Sequence, residues 1–234
     1  MKVKKDSAIN LTLVIWIIFI IYLFLSRRLI LYIEKHYIFL TLLGLFILIL
    51  MFVLRLKRRA LASPINPPDI LLLSLLLFPV LLGMLVRPTG LSSLAAVKRG
   101  VNLKLEDRKM IILETLKQKV EKDGQYRKLN IKQILAISQK EPESIRDSLV
   151  TTEGIVYKEA EDSTSFILIR FLITCCAAHA TPLGIRIESE KAGELKQDSW
   201  VKVYGKVKLK GEKPVIIAEN INSLPKPRDS YLYY

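Results

Sequence analysis

Two adjacent cysteines, Cys175 and Cys176, are the only ones in the chain, and His179 follows three residues later in the stretch Arg170-Phe-Leu-Ile-Thr-Cys-Cys-Ala-Ala-His-Ala-Thr-Pro182. Two sulfurs and an imidazole are donors for a thiophilic metal such as zinc or copper(I). A closed structural zinc site takes four protein ligands, and the only other histidine, His36, lies far away in sequence. The metal reading therefore requires an open site, a carboxylate or a ligand from a partner. The bland reading is that small cysteines fill a core, since free cysteine is among the most buried residue types. Haem attachment is excluded, because it needs Cys-x-x-Cys-His.

What positions these residues is a run from Phe166 to Thr174, apolar and β-branched, which reads as a strand. Successive side chains along a strand point to opposite faces. Either one cysteine faces out, or the strand has ended and both sulfurs border a turn before Pro182. Four further strands are expected at 149–157, 183–188, 200–207 and 214–221, with turns at Asp162-Ser163, Pro182, Gly193 and Gly211-Glu212. A short helix is expected within 190–197. Five strands with a helix between the third and fourth predict an OB-like β-barrel over residues 148–234, with Gly154 and Gly205 at bends or bulges. An open sheet or small sandwich is the competing architecture. Trp200, Phe166 and the branched aliphatics are its expected core.

The N-terminal part reads differently. The chain has 234 residues, of which 51% are hydrophobic, and its mean hydropathy is +0.31. Uncharged apolar runs at 8–25 and 37–54 approach the length of about 18 or more residues that nominates a membrane-spanning helix. A third run, 70–86, contains Pro79, which is tolerated in a membrane helix where neighbours satisfy the freed carbonyl. Residues 1–97 are thus expected to be a multi-pass transmembrane domain in a lipid bilayer. The basic start resembles a signal peptide, but the run exits into Ser26-Arg27-Arg28 without a small-x-small cleavage site, so an uncleaved anchor is expected. Lys and Arg in the flanking segments number seven on each side and set no orientation.

Between these parts, residues 98–147 read as a polar helical linker. Leu105, Ile112, Leu113, Leu116 and Val120 recur at helical spacing, and a second short helix is expected from Ile131 to Ser138, closed by Glu141-Pro142. The net charge of +14 divides as +8 over 1–97, +5 over 98–147 and +1 over 148–234. The excess sits where it would meet anionic lipid headgroups. The nearly neutral β-domain argues against nucleic-acid binding, which depends on clustered Lys and Arg. No serine-histidine-acid set, phosphate-binding glycine loop or carboxylate pair stands out, so no enzymatic activity is expected.

Several elements in order resemble the YcgQ-type bacterial membrane proteins: Pro79-x-x-x-Gly83, Leu94-Ala-Ala-x-x-Arg99-Gly100, Gly154-Ile-Val-Tyr157, Arg170-Phe-x-Ile-Thr-Cys175-Cys176-Ala177-Ala178-x-Ala180, Trp200-Val-x-Val-x-Gly205, and an aromatic end after Pro225 and Pro227. The similarity runs through nearly the whole chain, and Cys-Cys-Ala-Ala is its most specific part. The resemblance implies an accessory subunit in the bacterial inner membrane, partnered with a multi-spanning permease of YcgR/YraQ type. His179 departs from the family pattern, which usually has Asp there. A membrane-tethered thiol redox or metal-relay protein is the alternative function. A disulfide between adjacent cysteines would be strained and easily reduced.

Overall fold

The computed structural model describes residues 5–57, 65–85, 90–105, 120–159, 164–227 and 229–233. The chain divides into two compact units, Met1–Thr89 and Gly90–Tyr234.

The first unit contains three apolar helices, α1 (Lys5–Leu25), α2 (Ile38–Lys57) and α3 (Pro67–Leu85). Each is long and apolar enough to cross a membrane. Their flanking charges meet at one end of the unit. Arg55, in the last turn of α2, donates from Nη2 to Asp6 at 2.7 Å and from Nε to Asn10 at 3.0 Å. Lys5 pairs with Asp69 at the start of α3 at 2.8 Å. Pro79 lies inside α3, where its missing N–H deprives the Leu75 carbonyl of its helical donor. One residue further on, the Trp16 indole of α1 donates to the Leu76 carbonyl at 3.1 Å. One turn after Pro79, Gly83 packs against Phe19, and a Cβ there would fall 2.6 Å from the ring. The Pro-x-x-x-Gly spacing thus has a packing reason within α1 and α3.

The second unit is built on an eight-stranded mixed sheet. Five long strands, β3 (Leu149–Tyr157), β4 (Ser165–Ile173), β5 (Thr181–Glu188), β6 (Trp200–Lys210) and β7 (Lys213–Leu224), correspond to the five expected from sequence. Their pairings form a ring, β3-β6-β7-β5-β4 and back to β3. All contacts in the ring are antiparallel except β5 with β7. A 3-10 turn, Glu190–Glu194, occupies the connection between β5 and β6, where a short helix was expected.

Two glycines permit this ring. The β6–β7 register shifts between Tyr204 and Gly205, and a Cβ on Gly205 would meet Ala218 Cα at 2.9 Å. On Gly154 a Cβ would lie 2.7 Å from the Ile169 carbonyl oxygen of β4. Both are points where another backbone approaches too closely for a side chain.

Three short strands correct the expected count of five. The hairpin of β1 (Glu121–Asp123) and β2 (Tyr126–Lys128) joins β3 through β2, and β8 (Tyr231–Tyr233) lies parallel to Phe171–Ile173 of β4. The terminal aromatics therefore complete this sheet, with Tyr231 and Leu232 buried. The described part of 98–147 is also more than a linker. Helix α4 (Ser93–Arg99) precedes it, and it contains β1, β2, α5 (Ile131–Lys140) and α6 (Pro142–Ile145). Asn130 and Gln133 form reciprocal N-terminal caps on α5 at 2.9 and 2.8 Å. Every residue from Ile131 to Ser138 is buried, and Ile131, Ile134, Leu135 and Ile145 share the core with Val150, Phe166, Val201 and Ile216. The amphipathic helix expected over 103–120 falls largely outside the described residues, as does the turn at Asp162-Ser163. Pro182 lies inside β5 rather than at a turn. Its ring leaves no N–H to pair, and its carbonyl accepts from Asn102 N at 2.9 Å, where the 101–103 segment runs beside the strand.

Candidate functional site

Strand β4 ends at Ile173, so Cys175 and Cys176 leave the strand and enter the β4–β5 connection together. Of the two arrangements compatible with the sequence, the one with both sulfurs beside a turn is found. A 3-10 turn, Ala177–His179, closes the loop, with His179 N donating to Cys176 O at 3.0 Å. This turn folds the imidazole back over the sulfurs. His179 Nδ1 lies 3.4 Å from Cys175 Sγ and 3.4 Å from Cys176 Sγ, and the sulfurs are 3.7 Å apart as free thiols.

Both cysteines are half-buried and His179 is exposed, so the three donors face a solvent-accessible edge rather than the core. Among the described residues no fourth His, Cys, Asp or Glu joins the group. His36, in the other unit, pairs with Glu34 at 2.7 Å. Hydrogen bonding from His179, first through its side chain and then through its backbone N–H, brings the Cys176 thiol down to about 7, below the ordinary thiol range. With the proton on Nδ1 the imidazole donates to the thiolate, which favours the charged form.

The loop is also held by a residue distant in sequence. Arg99, at the end of α4, donates from Nη1 to the carbonyl oxygens of Ala177 at 3.1 Å and Ala180 at 3.0 Å. Helix α4 ends at Gly100, whose φ of 77° is one that side-chain-bearing residues rarely adopt. At its other end, Ser92 accepts from Ala95 N, and Asp198 accepts from Ser93 N at 2.6 Å. The Leu94-Ala-Ala-x-x-Arg99-Gly100 element thus carries a small helix whose last residue anchors the cysteine loop. Arg99 could be seen in the sequence only as part of that element, with nothing to connect it to residues 78 and 81 positions downstream.

The other residues singled out from the sequence lie elsewhere. Arg170 is buried on β4, where it pairs with Glu153 at 3.0 Å and donates to the Tyr231 carbonyl at 3.3 Å. Its guanidinium carbon stands 5.1 Å from the centre of the Trp200 ring. Burial lowers the Arg170 pKa, and Glu153 opposes that shift. Arg170, Trp200 and Gly205 build the sheet. Ala177 and Ala178 keep the turn small beside the sulfurs.

An N-terminal unit of apolar helices followed by a mixed β-sheet domain with a two-thiol, one-imidazole loop defines the class of protein. Residues 110–234 match the DUF1980 C-terminal domain, and the chain belongs to that family. Comparison with curated proteins gives no match. Among solved structures, the crystal structure of the S. pombe Stn1-ten1 complex is similar at 16% identity and a TM-score of 0.25. That similarity covers 35% of this chain and 62% of the other.

Proposed function

We propose that this protein is a non-enzymatic, membrane-anchored accessory subunit of a multi-spanning permease in the bacterial inner membrane, and that its Cys-Cys-x-x-His loop is the contact site for what the permease handles. The observation that carries this reading is the joining, in one chain, of three membrane-length apolar helices with an exposed cluster of soft donors. The helices hold no Asp, Glu, Lys or Arg between their end turns. Substrate pathways through membranes usually carry such groups, so three helices of this kind are better suited to packing against a transporter than to forming one. The resemblance to YcgQ-type proteins supports a YcgR/YraQ-type partner. The ring order of the five long strands, with its single parallel contact and the helical turn between β5 and β6, supports an OB-like barrel for the domain.

The test is to solubilise the tagged chain from its native membrane in mild detergent and identify what co-purifies by mass spectrometry. A multi-spanning permease in comparable amount is expected. Recovery of the chain alone, under conditions that keep other membrane complexes intact, would overturn the proposal.

A thiol redox or metal-relay role is the second reading. It is favoured by the free, adjacent sulfurs and the Cys176 thiol held near 7. Trapping the pair by alkylation in cells decides it: a population that cycles between thiol and disulfide supports this reading, and permanently reduced thiols oppose it.

A further inference from the structure

The three donor atoms define a triangle with sides of 3.7, 3.4 and 3.4 Å. A point equidistant from all three lies about 2.0 Å from each, against metal bond lengths of about 2.3 Å to sulfur and about 2.0–2.1 Å to imidazole nitrogen. An ion displaced about 1 Å out of the plane, or an opening of the triangle by about a few tenths of an ångström, brings all three to bonding distance. The cation would take the place of the Nδ1 proton between the sulfurs. Its binding expels protons from the thiols, because thiolate and neutral imidazole are the ligating forms.

We propose that Cys175 Sγ, Cys176 Sγ and His179 Nδ1 form a three-donor site for one thiophilic d10 cation, zinc(II) or copper(I), with its remaining coordination position open to an incoming ligand. This deepens the reading above by naming the ligand class of the same loop, and it rests on that reading only for where the ion goes next. Two sulfurs and an imidazole exclude calcium and magnesium, which take oxygen ligands. Three protein donors leave zinc one position short of tetrahedral, the arrangement of sites that exchange a ligand, whereas closed four-ligand sites are structural. The exposure of His179 gives a competing ligand access to the ion from outside. Two thiolates around one copper(I) carry a net negative charge. The Arg99 guanidinium, fixed on the Ala177 and Ala180 carbonyls of the same loop, is a positive charge that offsets it.

The experiment uses the full chain in detergent, reduced and stripped of metal. Zinc(II) is titrated against a chromophoric zinc chelator, and copper(I) against bicinchoninate. One equivalent of at least one of these ions is expected per chain, and the two arms identify which. Losing a group that merely supports a ligand weakens binding by about 10- to 100-fold, so Cys175→Ser and Cys176→Ser are each expected to exceed that loss. Cobalt(II) loaded in place of the ion should show sulfur-to-metal charge-transfer bands that shift when imidazole is added, reporting the open position. Binding of neither ion near one equivalent would overturn the proposal, as would unchanged affinity in Cys176→Ser. A cobalt spectrum indifferent to imidazole would overturn the open position. Unchanged thermal unfolding of the variants distinguishes loss of ligands from loss of fold. Because the titration uses the chain alone, its result is independent of whether a permease co-purifies.

Discussion

Cys176 and His179 are in contact: Nδ1 of the imidazole lies 3.4 Å from the sulfur, and the hydrogen bond from that side chain is the largest cause of the thiol's lowering to about 7. The metal-free, reduced protein should therefore be alkylated at Cys176 with a half-maximal rate near pH 7, the reactive thiolate being lost as pH falls through that value. In His179→Ala the midpoint should rise toward the ordinary thiol range of about 8.5. Rate against pH, with the modified cysteine identified by mass spectrometry, measures both. A midpoint unmoved by the substitution would show that His179 does not stabilise the thiolate.

Arg99 holds the turn that brings His179 back to the sulfurs, through bonds of 3.1 and 3.0 Å to Ala177 and Ala180. Arg99 is exposed, so these bonds contribute about 1 kcal/mol to the fold at most. Arg99→Ala should raise amide hydrogen exchange at His179 and Ala180 by up to about fivefold, as expected when that energy is lost locally. The melting temperature should fall by no more than about 2–4 °C. A larger fall without a local change in exchange would assign Arg99 to the fold generally rather than to the loop.

The five long strands were legible because alternation, apolar runs and turn residues are local signals, whereas these signals left open whether the cysteines continue β4 or border a turn. Strands β1, β2 and β8 were not, because three residues leave no period and their existence depends on a neighbouring strand. The burial of α5 was hidden by its own composition. Lys132, Gln133 and Ser138 are of types mostly found exposed, yet all three are buried, with Lys132 Nζ donating to the Tyr233 carbonyl at 2.9 Å and Ser138 Oγ to Ile134 O at 2.7 Å. Lys132 and Ser138 are each satisfied by a backbone carbonyl, the one for Lys132 lying 101 residues away, and the Gln133 side chain accepts from Asn130 N at 2.8 Å. At the site, the donor triad could be read from spacing alone, but its anchor could not, since Arg99 reaches it only through the tertiary fold.

Gly205 should tolerate no side chain. A Cβ there would meet the Ile217 carbonyl oxygen and Ala218 Cα, and both obstacles are backbone. Relief would require moving β7 at the register shift that closes the ring. Gly205→Ala is expected to cost about 1–3 kcal/mol, seen as a lower unfolding midpoint in denaturant. Gly44, with nothing within 4 Å, is the control in which alanine should be neutral or slightly stabilising.

Arg170 ties the end of the chain to β4. Its side chain is 7% exposed, whereas that of Glu153 is 44% exposed, so the two partners should respond unequally. Arg170→Ala removes the Glu153 pair, the stacking on Trp200 and the donor to the Tyr231 carbonyl together, and should cost about 2–4 kcal/mol. It should also abolish exchange protection in β8. Glu153→Gln keeps an acceptor, water reaches the site, and the cost should stay below about 1 kcal/mol. Equal losses in the two variants would contradict this division.

The pairs at one end of the helical unit bear on the path that helices long and apolar enough to span would take through a bilayer. Lys5 and Asp6 open α1, Arg55 closes α2 and Asp69 opens α3, and Arg55–Asp6 and Lys5–Asp69 join all three at distances of 2.7 and 2.8 Å. Ion pairs at that separation require the start of α1, the end of α2 and the start of α3 to share one side, so the helices alternate in direction and 26–37 lies on the other side. In a Cys175→Ser, Cys176→Ser background, single cysteines at Ser7 and Lys57 should be labelled by a membrane-impermeant thiol reagent from the same side. A cysteine at Arg27 should be labelled only from the opposite one. Labelling of Ser7 and Lys57 from different sides would break the Arg55–Asp6 pair and with it the arrangement of the three helices. Arg55→Leu should loosen the α1–α2 contact at this end, whereas the paired reversal Arg55→Asp with Asp6→Arg should restore it, read as recovery of the detergent-solubilised melting temperature.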